Sequence, residues 1–328
     1  MEEYRAIEFH RTRDFSRKLN ATFEFIRQNF KPLGKSILFI AGPAVLVGSV
    51  MAGSFIGEFF NLGMSAQGNP EALSSYFLSI NFWMQFLLMF VFLTISFVIG
   101  IATINCYLII YDQKKSNQIE VSEVWSLVRK AFWLYLGTSI LFFLLFMVAY
   151  VMLLIPVFIL ANISGVVVFV GVLFVVGGII FLIFSSSLTY FIQLYEKKNF
   201  LDAVGRSMRL VNNGKWWSTF GLIMVLYLIM MTVSYFFIIP YYVVLFTESL
   251  HSVSTDTVAE STSGWKLWTI VFFTLYYMAQ MLLATLPNVG IAFQYFNLVE
   301  IKEAKGLMNQ IENLGKEVSE IKRPEEHY

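Results

Sequence analysis

Residues 132–195 read FWLYLGTSILFFLLFMVAYVMLLIPVFIL, then ANIS, then GVVVFVGVLFVVGGIIFLIFSSSLTYFIQLY. The two long runs, Phe132–Leu160 and Gly165–Tyr195, contain no Asp, Glu, Lys or Arg. A helix needs roughly 20 mostly apolar residues to cross the hydrocarbon core of a bilayer, and each run exceeds that. Four residues separate them, with Asn162 and Gly165 as turn formers. So short a connection predicts a tight hairpin of two antiparallel spanning helices.

Four more uncharged runs lie outward of this hairpin: Ser36–Ile56, Phe82–Tyr111, Trp216–Phe246 and Trp268–Leu298. The expected fold class is therefore all-α, a polytopic membrane helical bundle with six transmembrane helices. Composition points the same way. The chain is 57% apolar and 14% charged, against about 25% charged in an ordinary soluble domain. About 30 residues of helix reach roughly 45 Å, so the longer spans are expected to tilt, kink or protrude.

The loops orient the spans. Of the 23 Lys and Arg, residues 1–35 hold eight, 112–131 four, 196–215 five and 300–328 five, which leaves only Lys266 elsewhere. The alternate loops carry Glu58, Glu71, Glu248, Asp256 and Glu260 instead. Cytoplasmic loops retain Lys and Arg, so both termini are expected in the cytoplasm. Tyr111 and Tyr195, each followed by an acid and then lysines, are expected to anchor helices at that interface. The charged N-terminal residues begin without a short apolar stretch, and no cleavable signal peptide is expected.

Residues from 111 onward match those 84 positions later without a gap over about fifty residues. Tyr111 pairs with Tyr195, Asp112 with Glu196, Lys114 with Lys198, Phe132-Trp133 with Trp216-Trp217, Gly137 with Gly221, and Pro156 with Pro240. The expected organisation is a transmembrane domain over 1–299, in three units of about 11–111, 112–195 and 196–299, followed by a cytoplasmic C-terminal helix or tail over 300–328. Each unit reads as an interfacial amphipathic helix plus a transmembrane hairpin. In the first, Phe15, Leu19, Phe23, Ile26 and Phe30 share one helical face, flanked by Arg17, Lys18, Arg27 and Lys31. The second places Val121, Val124, Trp125, Val128 and Phe132 beside Arg129 and Lys130. The third places Leu201, Val204, Met208 and Val211 with Arg206, Arg209 and Lys215. These nine basic residues form a candidate lipid or partner surface on the anionic leaflet; the alternative is that the helices brace the bundle. Near the ends of the closing helices, Ala102, Ser186 and Gly290 are small residues that permit close helix contact.

Chemistry is sparse. Intramembrane catalysis or ion coupling ordinarily uses Asp, Glu, His or Lys facing a cavity, and no span contains one. The phosphate-binding loop, the dinucleotide fingerprint, the nucleophile elbow and the zinc-protease motif are absent. Cys106 stands alone and His10, His251 and His327 lie far apart, so neither a metal nor a cofactor is expected. Net charge is +1, which suggests no nucleic-acid partner. The intramembrane polar groups are amides and hydroxyls. Most suit hydrogen bonds between helices, while Ser186, Gln280 and Asn288 are candidates to line a neutral cavity. Gly42-Pro43 and Pro287-Asn288 predict kinks. In the tail, Leu307, Ile311, Leu314, Val318 and Ile321 form a heptad-like stripe.

The opening helix with Asn29-Phe30 before Leu33, the repeated unit, and Asn213-Gly214-Lys215-Trp216-Trp217 leading into the fifth span resemble the integral membrane domain attached to some bacterial glycerophosphodiester phosphodiesterases. The resemblance covers residues 10–300 and implies a bacterial cytoplasmic (inner) membrane setting. This chain has no counterpart of the phosphodiesterase barrel or of its metal-binding acids and histidines, so no catalytic residue carries over. The leading expectation is a non-enzymatic module that interacts with membrane lipids or forms a complex with other membrane proteins or a second copy. The alternative is a transporter or permease for a neutral or amphipathic substrate. A cavity lined by Ser186, Gln280 and Asn288 would favour it, and a dry, close-packed bundle would oppose it.

Overall fold

The computed structural model describes residues 6–65, 70–160, 164–254, 263–304 and 308. The turn residue Asn162 and the heptad-like stripe of the tail lie outside these residues. Among the described residues the elements are eleven helices: α1 (Phe15–Ile40), α2 (Gly42–Ser65), α3 (Pro70–Leu78), α4 (Ile80–Lys114), α5 (Val121–Leu160), α6 (Gly165–Ser185), α7 (Thr189–Tyr195), α8 (Phe200–Asn212), α9 (Trp216–Ser254), α10 (Ser263–Leu283) and α11 (Thr285–Glu303).

Six stretches are long and apolar enough to cross a membrane: Gly42–Phe59, Ile80–Lys114, Val121–Ile159, Gly165–Tyr195, Trp216–Thr247 and Leu267–Glu303. The first begins later than Ser36, because α1 runs unbroken from Phe15 to Ile40 and the chain breaks at Ala41. Gly42-Pro43 then opens α2. Proline is tolerated there because a first-turn N–H has no partner within its own helix. Pro287 likewise sits in the first turn of α11, just past the break at Ala284.

Local chemistry sets the other boundaries. The Ser79 hydroxyl accepts from the Phe82 N–H at 3.2 Å and starts α4, Ser164 does the same for α6 through Val167 at 3.3 Å, and the Asn199 side chain caps α8 through Asp202 at 3.1 Å. Lys115 and Ala304 end α4 and α11 in left-handed conformation. The expected opening helix forms an element of its own in the first unit, as α1, and in the third, as α8, where Gly214 at φ +79° makes the turn into α9. In α5 the opening segment and the span are one helix of 40 residues.

The spans pack in a ring in the order α4, α2, α10, α9, α6 and α5, with α5 returning to α4. Helices α1, α7 and α11 plug the end of the ring where the basic segments gather. There the main core is aromatic: Phe9, Phe25, Tyr107, Tyr111, Tyr135, Phe191, Phe293, Tyr295 and Phe296 are all buried. Phe9 meets Phe293 edge-on at 5.2 Å and Phe25 meets Tyr111 at 4.8 Å. Such pairs contribute roughly 0.5–1.5 kcal/mol beyond the area they bury. Tyr111 is buried and Tyr195 half-buried, and both are held within the chain: the Tyr111 hydroxyl accepts from the Ile7 N–H at 2.9 Å and the Tyr195 hydroxyl donates to Asp112 at 3.0 Å. Trp133 and Trp217 are among the most exposed aromatics of this end.

Away from the basic end the α5–α6 hairpin stands clear of its neighbours. In the apolar stretches of α5 and α6 6% of residues are buried, against 33% in those of α2 and α4. The two helices hold chiefly to each other, with Gly171 and Gly178 set against Val157 and Leu153. Hairpin and α9 meet in ring contacts of Phe181 and Phe184 with Trp216 and Phe220, at the start of α9.

Candidate functional site

Because the hairpin joins the ring at the basic end and then separates, the ring encloses a cavity of about 1170 Å³. Its wall is mainly apolar and aromatic: Phe90 and Phe97 from α4, Phe142, Phe143 and Phe146 from α5, Phe184 from α6, Tyr227 and Met230 from α9, and Tyr277 from α10. Several of these, including Phe90, Phe97 and Phe143, are about half exposed although they line the cavity.

Ser186, Gln280 and Asn288 all line this one cavity, although they come from three segments of the chain. Two helix interruptions position them. Ser186 and Ser187 lie in the break between α6 and α7, and their hydroxyls donate to Leu182 O at 2.7 Å and Phe184 O at 2.8 Å. Asn288 follows the break between α10 and α11, and its amide donates to Ala284 O at 2.7 Å. Gln280 differs. Its Oε1 is buried and, among the described residues, has no hydrogen-bond partner, which leaves an unsatisfied acceptor beside the cavity. A polar knot closes the cavity toward the basic end: Asn105 donates to the Tyr135 hydroxyl at 2.9 Å, Tyr135 donates to Tyr190 O at 3.0 Å, and the Tyr190 and Ser139 hydroxyls share a bond at 2.9 Å. No charged side chain lines the cavity. It suits an amphipathic guest with a long apolar part and a neutral hydrogen-bonding group.

The nine basic candidates divide. Arg17, Arg27, Lys31, Arg129, Lys130, Arg209 and Lys215 are exposed, and Arg129 lies over the Trp125 ring at 5.7 Å. Lys18 is 2% exposed and leaves the expected surface. It lies on the inner face of α1 with Thr22, Phe25, Asn29 and Leu33, whereas Phe15, Phe23 and Phe30 face outward. Its Nζ donates to Gln294 Oε1 at 2.6 Å and Ser218 Oγ at 3.1 Å. Burial, then the nearby charge of Lys215, push its ammonium down to about 8 against the opposing pull of Asp14. Arg206 also turns inward, pairing with Glu196 at 3.2 Å and with Glu303.

Glu196 is a hub. It accepts from Lys198 at 2.8 Å, from the Tyr295 hydroxyl at 2.8 Å and from Arg206. Burial alone would raise its carboxyl, but the bonds from Lys198 and Tyr295 and the Arg206 charge outweigh burial and hold it below the usual range. Sequence periodicity gave no sign of the segment before α1. There Phe9 is buried, Arg13 N–H donates to Asn297 Oδ1 at 2.7 Å, and His10 meets the Tyr195 hydroxyl at 3.1 Å. An irregular segment has no period to read. Among the described residues no group of three or more His, Cys, Asp or Glu is placed to hold a metal ion. No family model, curated protein or solved structure matches the chain.

Proposed function

We propose that this is a non-enzymatic membrane protein that admits a lipid or lipid-like amphipathic molecule sideways from the bilayer into the cleft between the α5–α6 hairpin and the rest of the ring. The observation that carries the reading is the 1170 Å³ cavity, uncharged and mostly apolar, with the unpaired Gln280 acceptor in its wall. Its volume exceeds the range of roughly 300–1,000 Å³ usual for drug-sized ligands and leaves room for a guest with a long apolar part. That Ser186, Gln280 and Asn288 line the cavity, together with the helix breaks at Ser186 and Ala284 on its border, favours a second reading, a permease for the same class of molecule, because interrupted helices offer backbone groups to a substrate.

The setting we infer is the bacterial cytoplasmic membrane, with both termini and the basic end in the cytoplasm. The bundle is read as three related units over about 11–111, 112–195 and 196–299. Hydrogen bonds at the basic end support this division. Asp112 accepts from Tyr195 and Glu196 from Tyr295, so the acid opening each of the last two units is held by a tyrosine near that unit's end.

The test is lipid retention. The protein is extracted into nanodiscs with its native lipids, and the bound lipid is compared with bulk membrane by mass spectrometry. Ile140→Trp introduces bulk at the cleft wall from a position that is 52% exposed, outside the packed core. The wild type is expected to retain an enriched lipid class and Ile140→Trp to lose most of it. Bulk lipid composition in the wild type would overturn the reading. Accelerated movement of a labelled lipid in proteoliposomes would select the permease form.

A further inference from the structure

A second cavity, of about 330 Å³, lies between the starts of α1 and α9 at the basic end and shares no residue with the cleft. We propose that it is a phosphate-binding site in which Arg17, Lys18 and Lys215 hold the anion and Ser218 donates a hydrogen bond to it.

Charge balance is the first argument. Four cations, Arg13, Arg17, Lys18 and Lys215, line the cavity with one carboxylate, Asp14. Lys18 is the inner wall, and its two hydrogen-bond partners, Gln294 and Ser218, are neutral. Among the described residues no carboxylate forms an ion pair with any of the four. A buried ammonium without a counter-charge is costly. Elsewhere the chain avoids that cost: Arg206, also drawn inward, has Glu196 and Glu303. An anion from outside the chain supplies for Lys18 what Glu196 and Glu303 supply for Arg206.

Geometry narrows the anion. Arg13 is engaged, its guanidinium donating to Phe9 O at 3.2 Å and to Glu8 O and resting over Phe293. Arg17 and Lys215 are exposed at the rim and make no such bonds to carbonyls among the described residues. Two rim cations over one deep cation give a tripod of donors that suits an oxyanion with several acceptor oxygens. Ser218 accepts from Lys18 and so keeps its own O–H to donate. Trp217, 77% exposed beside the cavity, and exposed Phe15 in its wall mark the boundary between hydrocarbon and water, the depth at which lipid phosphates lie. The phosphate can come from a phospholipid headgroup or from solution.

The experiment uses the full-length protein in nanodiscs and reads thermal stability and binding in two arms. One arm titrates inorganic phosphate in discs of phosphatidylcholine. The other exchanges part of that lipid for phosphatidic acid without added phosphate. Arg17→Gln/Lys215→Gln changes two exposed rim residues and is expected to fold; Arg129→Gln/Lys130→Gln is the charge-matched control. Stabilisation by phosphatidic acid alone identifies the headgroup, and stabilisation in the phosphate arm identifies the free anion. In either case the rim double variant is expected to bind at least about tenfold more weakly, the scale of one lost charged hydrogen bond, with the control unchanged. No stabilisation in either arm, or equal weakening in rim and control variants, overturns the proposal. Retained lipid in the cleft experiment does not bear on this result, so the two sites fail separately.

Discussion

Gly290 of α11 lies directly against Leu226 of α9, and Gly290→Ala tests whether that contact sets the ring. A Cβ built there would lie 2.1 Å from Leu226 Cδ1, about 1.3 Å inside the ordinary contact limit of 3.4 Å, with Thr22 Oγ1 of α1 at 3.7 Å. Leu226 is wholly buried and packed with Leu222 and Leu286, so its methyl group has little room to turn. Overpacking of this kind costs about 1–3 kcal/mol. Leu226→Ala alone leaves a cavity and costs about 2–5 kcal/mol, but it also removes the atom that the new methyl would strike. The double variant is therefore expected to lose less than the sum of the two by about 1–3 kcal/mol, a positive coupling between residues in contact. Equilibrium unfolding in mixed micelles of SDS and a mild detergent, followed by tryptophan fluorescence, measures all four proteins. Additive losses, or Gly290→Ala unfolding at the wild-type midpoint, would refute the argument by showing that Leu226 can move aside freely.

Glu196→Gln should flatten the acid limb of the stability profile. A carboxyl held below its ordinary value of 4.5 stabilises the fold above that pH and loses its contribution as pH falls through the lower folded value. Removing the charge at neutral pH is expected to cost about 1.5–3 kcal/mol, the scale of a hydrogen bond to a charged group. An unchanged acid limb would sink this reading. Lys18 gives the opposite sign. Its ammonium sits at about 8 in the fold against 10.5 ordinarily, so it destabilises the fold while charged and its contribution improves as pH rises from about 8 to 10.5. Asp14, Arg13 and Arg17 face it from its own side and Lys215 from the start of α9. Lys18→Met, measured by thermal unfolding at pH 7 and pH 9.5, should lose that pH dependence. A slope equal to wild type would show that Lys18 does not titrate in this range.

Much of the fold is legible along the chain because transfer from water to lipid is a local property. Phe132–Leu160 and Gly165–Tyr195 need no distant partner to be spans, and Gly42-Pro43 carries its own break. The gathering of Lys and Arg into alternate segments likewise needs only counting. The candidate site was legible in part. Ser186, Gln280 and Asn288 stand out as polar residues in apolar runs, but periodicity says nothing about whether they face a cavity or one another.

Six apolar spans, one tight hairpin and a basic set of connecting segments were thus determined by the sequence itself, since hydrophobicity and turn chemistry act over a few residues. Only the tertiary structure decided that the hairpin stands away from α9 and leaves a cleft, and that Lys18 turns inward from the expected basic surface. It also decided that Tyr111 is buried against Ile7 and that Tyr195 is held by Asp112. Each of those outcomes depends on partners far along the chain. Lys18 meets Gln294 276 positions away, and Tyr195 meets Asp112 83 positions away. The face a side chain presents is chosen by what packs against it, and that choice exists only once the helices have come together.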